Sequence, residues 1–66
     1  MEIKDRNDVQ VGQIWKRSDG RQVKTAEERE FRGSRELLLE PIGKGRKSWK
    51  WDGGILNDLT FVGAAE

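Results

Sequence analysis

Few residues in this chain could do covalent chemistry. Hydroxyl nucleophiles stand at Ser18, Thr25, Ser34, Ser48 and Thr60, and the 66 residues include neither histidine nor cysteine. A hydroxyl attacks only when an adjacent base takes its proton. The remaining arrangement is Ser48 beside Lys47 and Lys50, which reads more simply as a strand serine between solvated lysines. Carboxylates cluster at Glu27, Glu28 and Glu30 but alternate with Arg29 and Arg32. Such mixing marks a solvated face, where each ion pair is worth about 0–1 kcal/mol. Asp52 and Asp58, on either side of Gly53-Gly54-Ile55, suit turn or cap positions. No spacing of oxygens suggests a hard-cation site. Gly43-Lys-Gly-Arg-Lys-Ser48 fails the phosphate-loop pattern, because Arg46 precedes Lys47 and Pro41 stands where an earlier glycine is needed. It fails the dinucleotide fingerprint as well, with Ser48 in the place of the third glycine. No enzyme activity, cofactor or metal is expected.

Binding chemistry is better represented. Residues 44–50 hold Lys44, Arg46, Lys47 and Lys50 with no acid, and Lys16, Arg17, Arg21 and Lys24 surround the single acid Asp19. The acids concentrate in 26–40, where five glutamates meet three arginines. The net charge of +1 therefore hides two basic segments and an acidic middle. Basic side chains neutralise phosphates, and an exposed indole can stack on a base for about 1–3 kcal/mol. The candidate nucleic-acid contacts are Lys16, Arg17, Lys24, Arg46, Lys47 and Lys50, with Trp15 as the stacking plane. The bland alternative is that Trp15 belongs to the core and that the lysines keep strand edges soluble.

These side chains must be positioned by short strands. Residues 13–18 and 21–25 read as strands joined by Asp19-Gly20, a pair suited to a two-residue turn with positive φ. That turn pairs Lys16 with Val23 and Ile14 with Thr25, which leaves Trp15 on the outer face with Arg17, Gln22 and Lys24. Thr25 and Glu28 spell a helix cap before 26–32, but only Ala26 and Phe31 could form an apolar stripe. A long exposed hairpin is the favoured reading. Residues 35–42 and 46–51 form a second hairpin across Gly43-Lys44-Gly45; a three-residue loop sets Leu39 opposite Trp49 and Leu37 opposite Trp51. Ile55–Asp58 reads as a single helical or 3₁₀ turn and Leu59–Val62 as a last short strand.

The expected organisation is a flexible arm over 1–8, one domain over 9–63 and a tail over 64–66. The fold class is all-β: a small five-stranded barrel with a 3₁₀ or helical turn before the last strand. Val11-Gly-Gln-Ile-Trp15, then Asp19-Gly-Arg21, a hairpin, and the terminal Leu59-Thr-Phe-Val62 resemble small SH3-like barrel accessory proteins of bacteriophages and their bacterial hosts. The resemblance implies a small accessory protein and carries over no catalytic residue. The absence of tyrosine sets the chain apart from SH3 domains that bind proline-rich peptides.

At this length folding hides only about 60% of the unfolded chain's surface, and no disulfide can compensate. A monomer or a weak homodimer is expected. No apolar run approaches the roughly 20 residues of a membrane span, and the charged N-terminus lacks a signal-peptide core. A cytoplasmic, non-enzymatic binding module is expected, with nucleic acid as partner through its phosphate backbone. The alternative is a protein–protein adaptor or an inhibitor of a host protein, using the 26–36 hairpin, a strand edge or the surroundings of Trp15.

Overall fold

In a computed structural model describing residues 3–64, the chain forms five strands and one short helix. The strands are β1 (Gln13–Lys16), β2 (Gln22–Phe31), β3 (Ser34–Pro41), β4 (Ser48–Trp51) and β5 (Thr60–Ala64). Helix α1 (Asp52–Asp58) precedes β5, and a 3₁₀ turn lies at Arg6–Asp8. All neighbouring strands are antiparallel, in the order β4-β3-β2-β1-β5. Among the described residues no helix is long and apolar enough to cross a membrane.

The sheet is not closed into the expected barrel, since β4 and β5 are its two edges. The reason lies in the chain between them. β4 is only four residues long and passes directly into α1. The helix packs on β3, β4 and the 3₁₀ turn, and its Ile55, with Leu59 just beyond, joins the core. The helix is also longer than the expected Ile55–Asp58 turn, because it takes in Gly53 and Gly54. Both lie beneath the Trp51 ring; a Cβ at Gly54 would stand 2.7 Å from the indole Nε1.

The β1–β2 connection sets the interior. The expected two-residue turn is replaced by a three-residue loop, Ser18–Gly20, with Arg17 N–H donating to Arg21 O (2.7 Å) and Gly20 at φ +91°. Asp19 supports it by accepting from Arg21 N–H (2.9 Å). The register moves by one residue, so Trp15 pairs with Val23 and Lys16 with Gln22. A one-residue shift turns every side chain to the other face. Trp15 is therefore inside, 1% exposed, and its outward placement is overturned.

Trp15 packs with Val9, Val23, Leu37, Leu39, Ile55 and Leu59, and it meets Phe61 edge to face at 5.4 Å. Its indole N–H donates to Gln13 Oε1 (3.1 Å), which also accepts from Gln10 N–H (2.9 Å). The Gln13 amide donates to Asp8 O (2.9 Å). Buried Thr25 accepts from Gln13 N–H (2.9 Å) and donates to Gln10 O (2.6 Å). Among the described residues no buried side-chain polar atom is left without a partner, as a small interior requires.

The long hairpin over 26–36 is present, and here the two-residue turn with positive φ at both positions does occur, at Arg32 (52°) and Gly33 (79°). In the next hairpin the expected pairing is corrected: Leu38, not Leu39, faces Trp49, and Glu36, not Leu37, faces Trp51. Residues 42–47 make a wider connection than the expected three-residue loop. The three consecutive leucines serve both faces. Leu37 and Leu39 enter the core, while Leu38 is buried on the outer face, opposite Trp49. The tryptophans of β4 thus belong to the outer face and the sheet edge.

Of the expected arm, residues 1 and 2 lie outside the described residues, and Asp5–Asp8 form a capped turn. Asp8 there accepts from Lys4 and Asp5 N–H groups, which hold its carboxyl below the ordinary aspartate range. Of the expected tail, Ala64 ends β5 and residues 65 and 66 lie outside the described residues. Arg35 ties the N-terminal segment to the sheet. It donates to the carbonyls of Arg6 (3.2 Å) and Val9 and pairs with Glu28 (3.0 Å) and Asp52 (3.7 Å). Removing it leaves the Val9 carbonyl and the nearly buried Asp52 short of partners. Arg35→Ala is expected to cost about 1–3 kcal/mol in urea unfolding. Arg35→Lys should recover only part of that loss, because an ammonium cannot fork across four acceptors. An unchanged midpoint for the alanine variant would show that the staple contributes nothing.

Candidate functional site

The register that buries Trp15 also decides where the cations go. Side chains alternate along a strand, so Arg17 and Arg21, flanking the first loop, follow Trp15 and Val23 onto the core side, beyond the end of the apolar interior. The loop after β3 comes to meet them. Val23 pairs with Pro41, and Ile42 N–H donates to Gln22 O (3.1 Å). Gly45 then folds back on Pro41; its φ is +141°, and a Cβ there would stand 2.9 Å from Pro41 Cγ. Only glycine permits that approach.

Between the two loops lies an open cleft of about 590 Å³. Its walls carry Arg17 and Arg21 on one side and Lys44 and Arg46 on the other; Pro41 and Ile42 supply its apolar surface above the buried Val23, and among the described residues no carboxylate lines it. Asp19 approaches Arg21 at 3.7 Å, with both side chains largely in solvent. Among the described residues Arg17, Lys44 and Arg46 have no carboxylate partner. Four cations around a concave surface raise the local positive potential, which would attract an extended or multiply charged anion.

The structure divides the residues that the sequence groups as one contact surface. Arg17 and Arg46 meet in the cleft. Lys16 and Lys24 are exposed on the opposite face of the sheet, where Lys24 stands across from Glu40. Lys47 pairs with Glu40 (3.6 Å) and Lys50 with Asp58 (3.0 Å), so both are partly neutralised. Trp15 offers no stacking plane, because the core encloses it. Arg21 and Lys44 were missing from the expected contact set. The available signal was their position beside the turn glycines Gly20 and Gly45, where the chain reverses and neighbouring tips converge.

The aromatic groups that do reach solvent lie elsewhere. Phe31 and Trp51 are each about half exposed. Arg29 stacks between Phe31 (5.1 Å) and Trp49 (4.1 Å) while bonding Glu36 (2.8 Å). Comparisons with protein-family models, with curated proteins and with solved structures each find no match to this chain.

The placement of the three tryptophans is directly measurable. In the double variant Trp49→Phe/Trp51→Phe, the remaining Trp15 should emit in the blue of an apolar site and resist acrylamide quenching. Wild type should show an additional accessible component. Strong quenching of Trp15 in the folded double variant would contradict the register described above.

Proposed function

We propose that this protein is a non-enzymatic binding module that holds nucleic acid by its phosphate backbone in the cleft between the two hairpin tips. The carrying observation is the convergence of Arg17, Arg21, Lys44 and Arg46 on one concave surface lined, among the described residues, by no carboxylate. Phosphate contacts of this kind position a strand without reading its sequence. We propose it as a small accessory protein of the kind found in bacteriophages and their hosts; the strand order and the helical turn before the last strand are those expected of an SH3-like chain, while the open sheet departs from a closed barrel. The setting proposed is the cytoplasm.

Fluorescence anisotropy with a labelled oligonucleotide should give an affinity that falls steeply with salt. Four phosphate contacts correspond to a log–log slope of about −3 to −4. Arg17→Ala/Arg46→Ala should reduce the magnitude of that slope by about 1.5, at 0.7–0.9 per contact. Lys47→Ala/Lys50→Ala should change it much less, since those lysines already have carboxylate partners. No complex at low salt would remove the reading.

A second reading, a protein-binding adaptor, is favoured by one specific observation. Phe31 is 47% exposed at the end of the long hairpin, flanked by Arg29 and Arg32 on its ring. A large apolar group held at the surface suits a protein contact. On that reading a discrete partner survives nuclease treatment in a pull-down and is lost with Phe31→Ala. Capture that disappears with nuclease, or that is indifferent to Phe31, counts against it.

A further inference from the structure

We infer that the cleft takes a single-stranded nucleic acid with an unpaired nucleotide seated on its apolar floor, and that it discriminates against duplex. The inference rests on the phosphate-binding reading above and extends it to the class of ligand.

Cations alone do not account for how this cleft is built. A site that only neutralised phosphates would need a charged ridge or stripe. Here the four basic side chains surround an apolar surface made by Pro41 and Ile42, above the buried Val23. Ile42 is 53% exposed. The segment that carries it is tied down, through its N–H to Gln22 O and through Gly45 packed on Pro41. The exposed isoleucine is thus held in place between the basic walls.

That combination fits one partner better than others. A nucleotide unit has a flat, weakly hydrated base and a charged phosphate a few bonds away. The open cleft offers a matching apolar floor and cationic rim. A duplex cannot use the floor, because its bases are stacked and paired and only unpaired bases can be splayed onto a protein surface. No aromatic side chain lines the cleft, so the base would rest on aliphatic groups. That contact is base-tolerant.

Electrostatics supplies a control. The duplex is the denser polyanion, with a larger counterion-release slope per contact than a single strand. Phosphate neutralisation alone therefore favours duplex, and a preference for single strand must come from contact with bases.

The test compares four ligands of equal length by competition anisotropy, at matched salt over a series of concentrations: oligo(dT), oligo(U), a DNA duplex, and an abasic sugar–phosphate strand. The expected result is binding of oligo(dT) at least tenfold tighter than the duplex and the abasic strand. The arms dT and U, which differ in the 2′-hydroxyl and in the C5-methyl, report whether those two changes together are tolerated. The key variant is Ile42→Ser, at an exposed position whose substitution should leave the melting curve close to wild type. It should weaken oligo(dT) about fivefold or more and leave both the abasic strand and the salt slope unchanged. Should the duplex or the abasic strand bind as well as oligo(dT), or should Ile42→Ser in a folded protein change nothing, the single-strand inference is overturned while phosphate binding stands. If none of the four ligands binds at low salt, both fail together.

Discussion

The burial of Trp15 is the constraint on which the other features depend. It is the largest side chain fully enclosed by the core, and it can be enclosed only if β1 and β2 pair in one register. Three things hold that register: a loop closed by Gly20 at positive φ, the Asp19 carboxylate on Arg21 N–H, and the indole N–H satisfied by Gln13. Shifting the pairing by one residue would put Trp15 on the same face as Lys24, so that either the indole left the core or Lys24 entered it. In a domain this small, losing that much buried surface is a large fraction of the whole stability.

The same register divides the positive charge between two faces. Arg17 and Arg21 continue the core side past its apolar end and meet Lys44 and Arg46 across a cleft. Lys16, Lys24 and Lys47 lie outward, interleaved with Glu40 and Glu27. The outer face is therefore close to neutral and partly apolar, with Leu38, Trp49 and Phe31 along it, and the cleft keeps its charge. A nearly balanced net charge is in this way compatible with one strongly basic concavity.

Size limits how the core is kept in place. With no disulfide available, the N-terminal segment is fastened by polar contacts instead: Gln13 and Thr25 inside, and Arg35 on the carbonyls of Arg6 and Val9. This segment delivers Val9 to the core. The helix between β4 and β5 plays a similar part at the open side of the sheet, and the two glycines under Trp51 let it start directly at the strand end.

Local patterns in the chain determined the mostly β character, the 26–36 hairpin, the helical turn before the last strand, the basic segments around the two tips and the absence of a histidine or cysteine nucleophile. Each depends on residue types a few positions apart, and such short-range preferences survive in any tertiary context. What the tertiary structure alone decided was which face each side chain joined. Asp19-Gly20 fits a two-residue or a three-residue loop equally well, and the difference of one residue moves Trp15 from surface to core. Three successive leucines fit either register of the β3–β4 pair, and their partition between faces followed from Leu37 and Leu39 finding Trp15 and Ile55. Whether the sheet closes depended on the path of α1 between its edges. The cleft was least legible, because Arg21 and Lys44 are distant in sequence and become neighbours only when Pro41 and Ile42 dock on β2. Alternation along a strand has period two, so a local ambiguity of one residue reverses every side chain, and only the competition for a single small core resolves it.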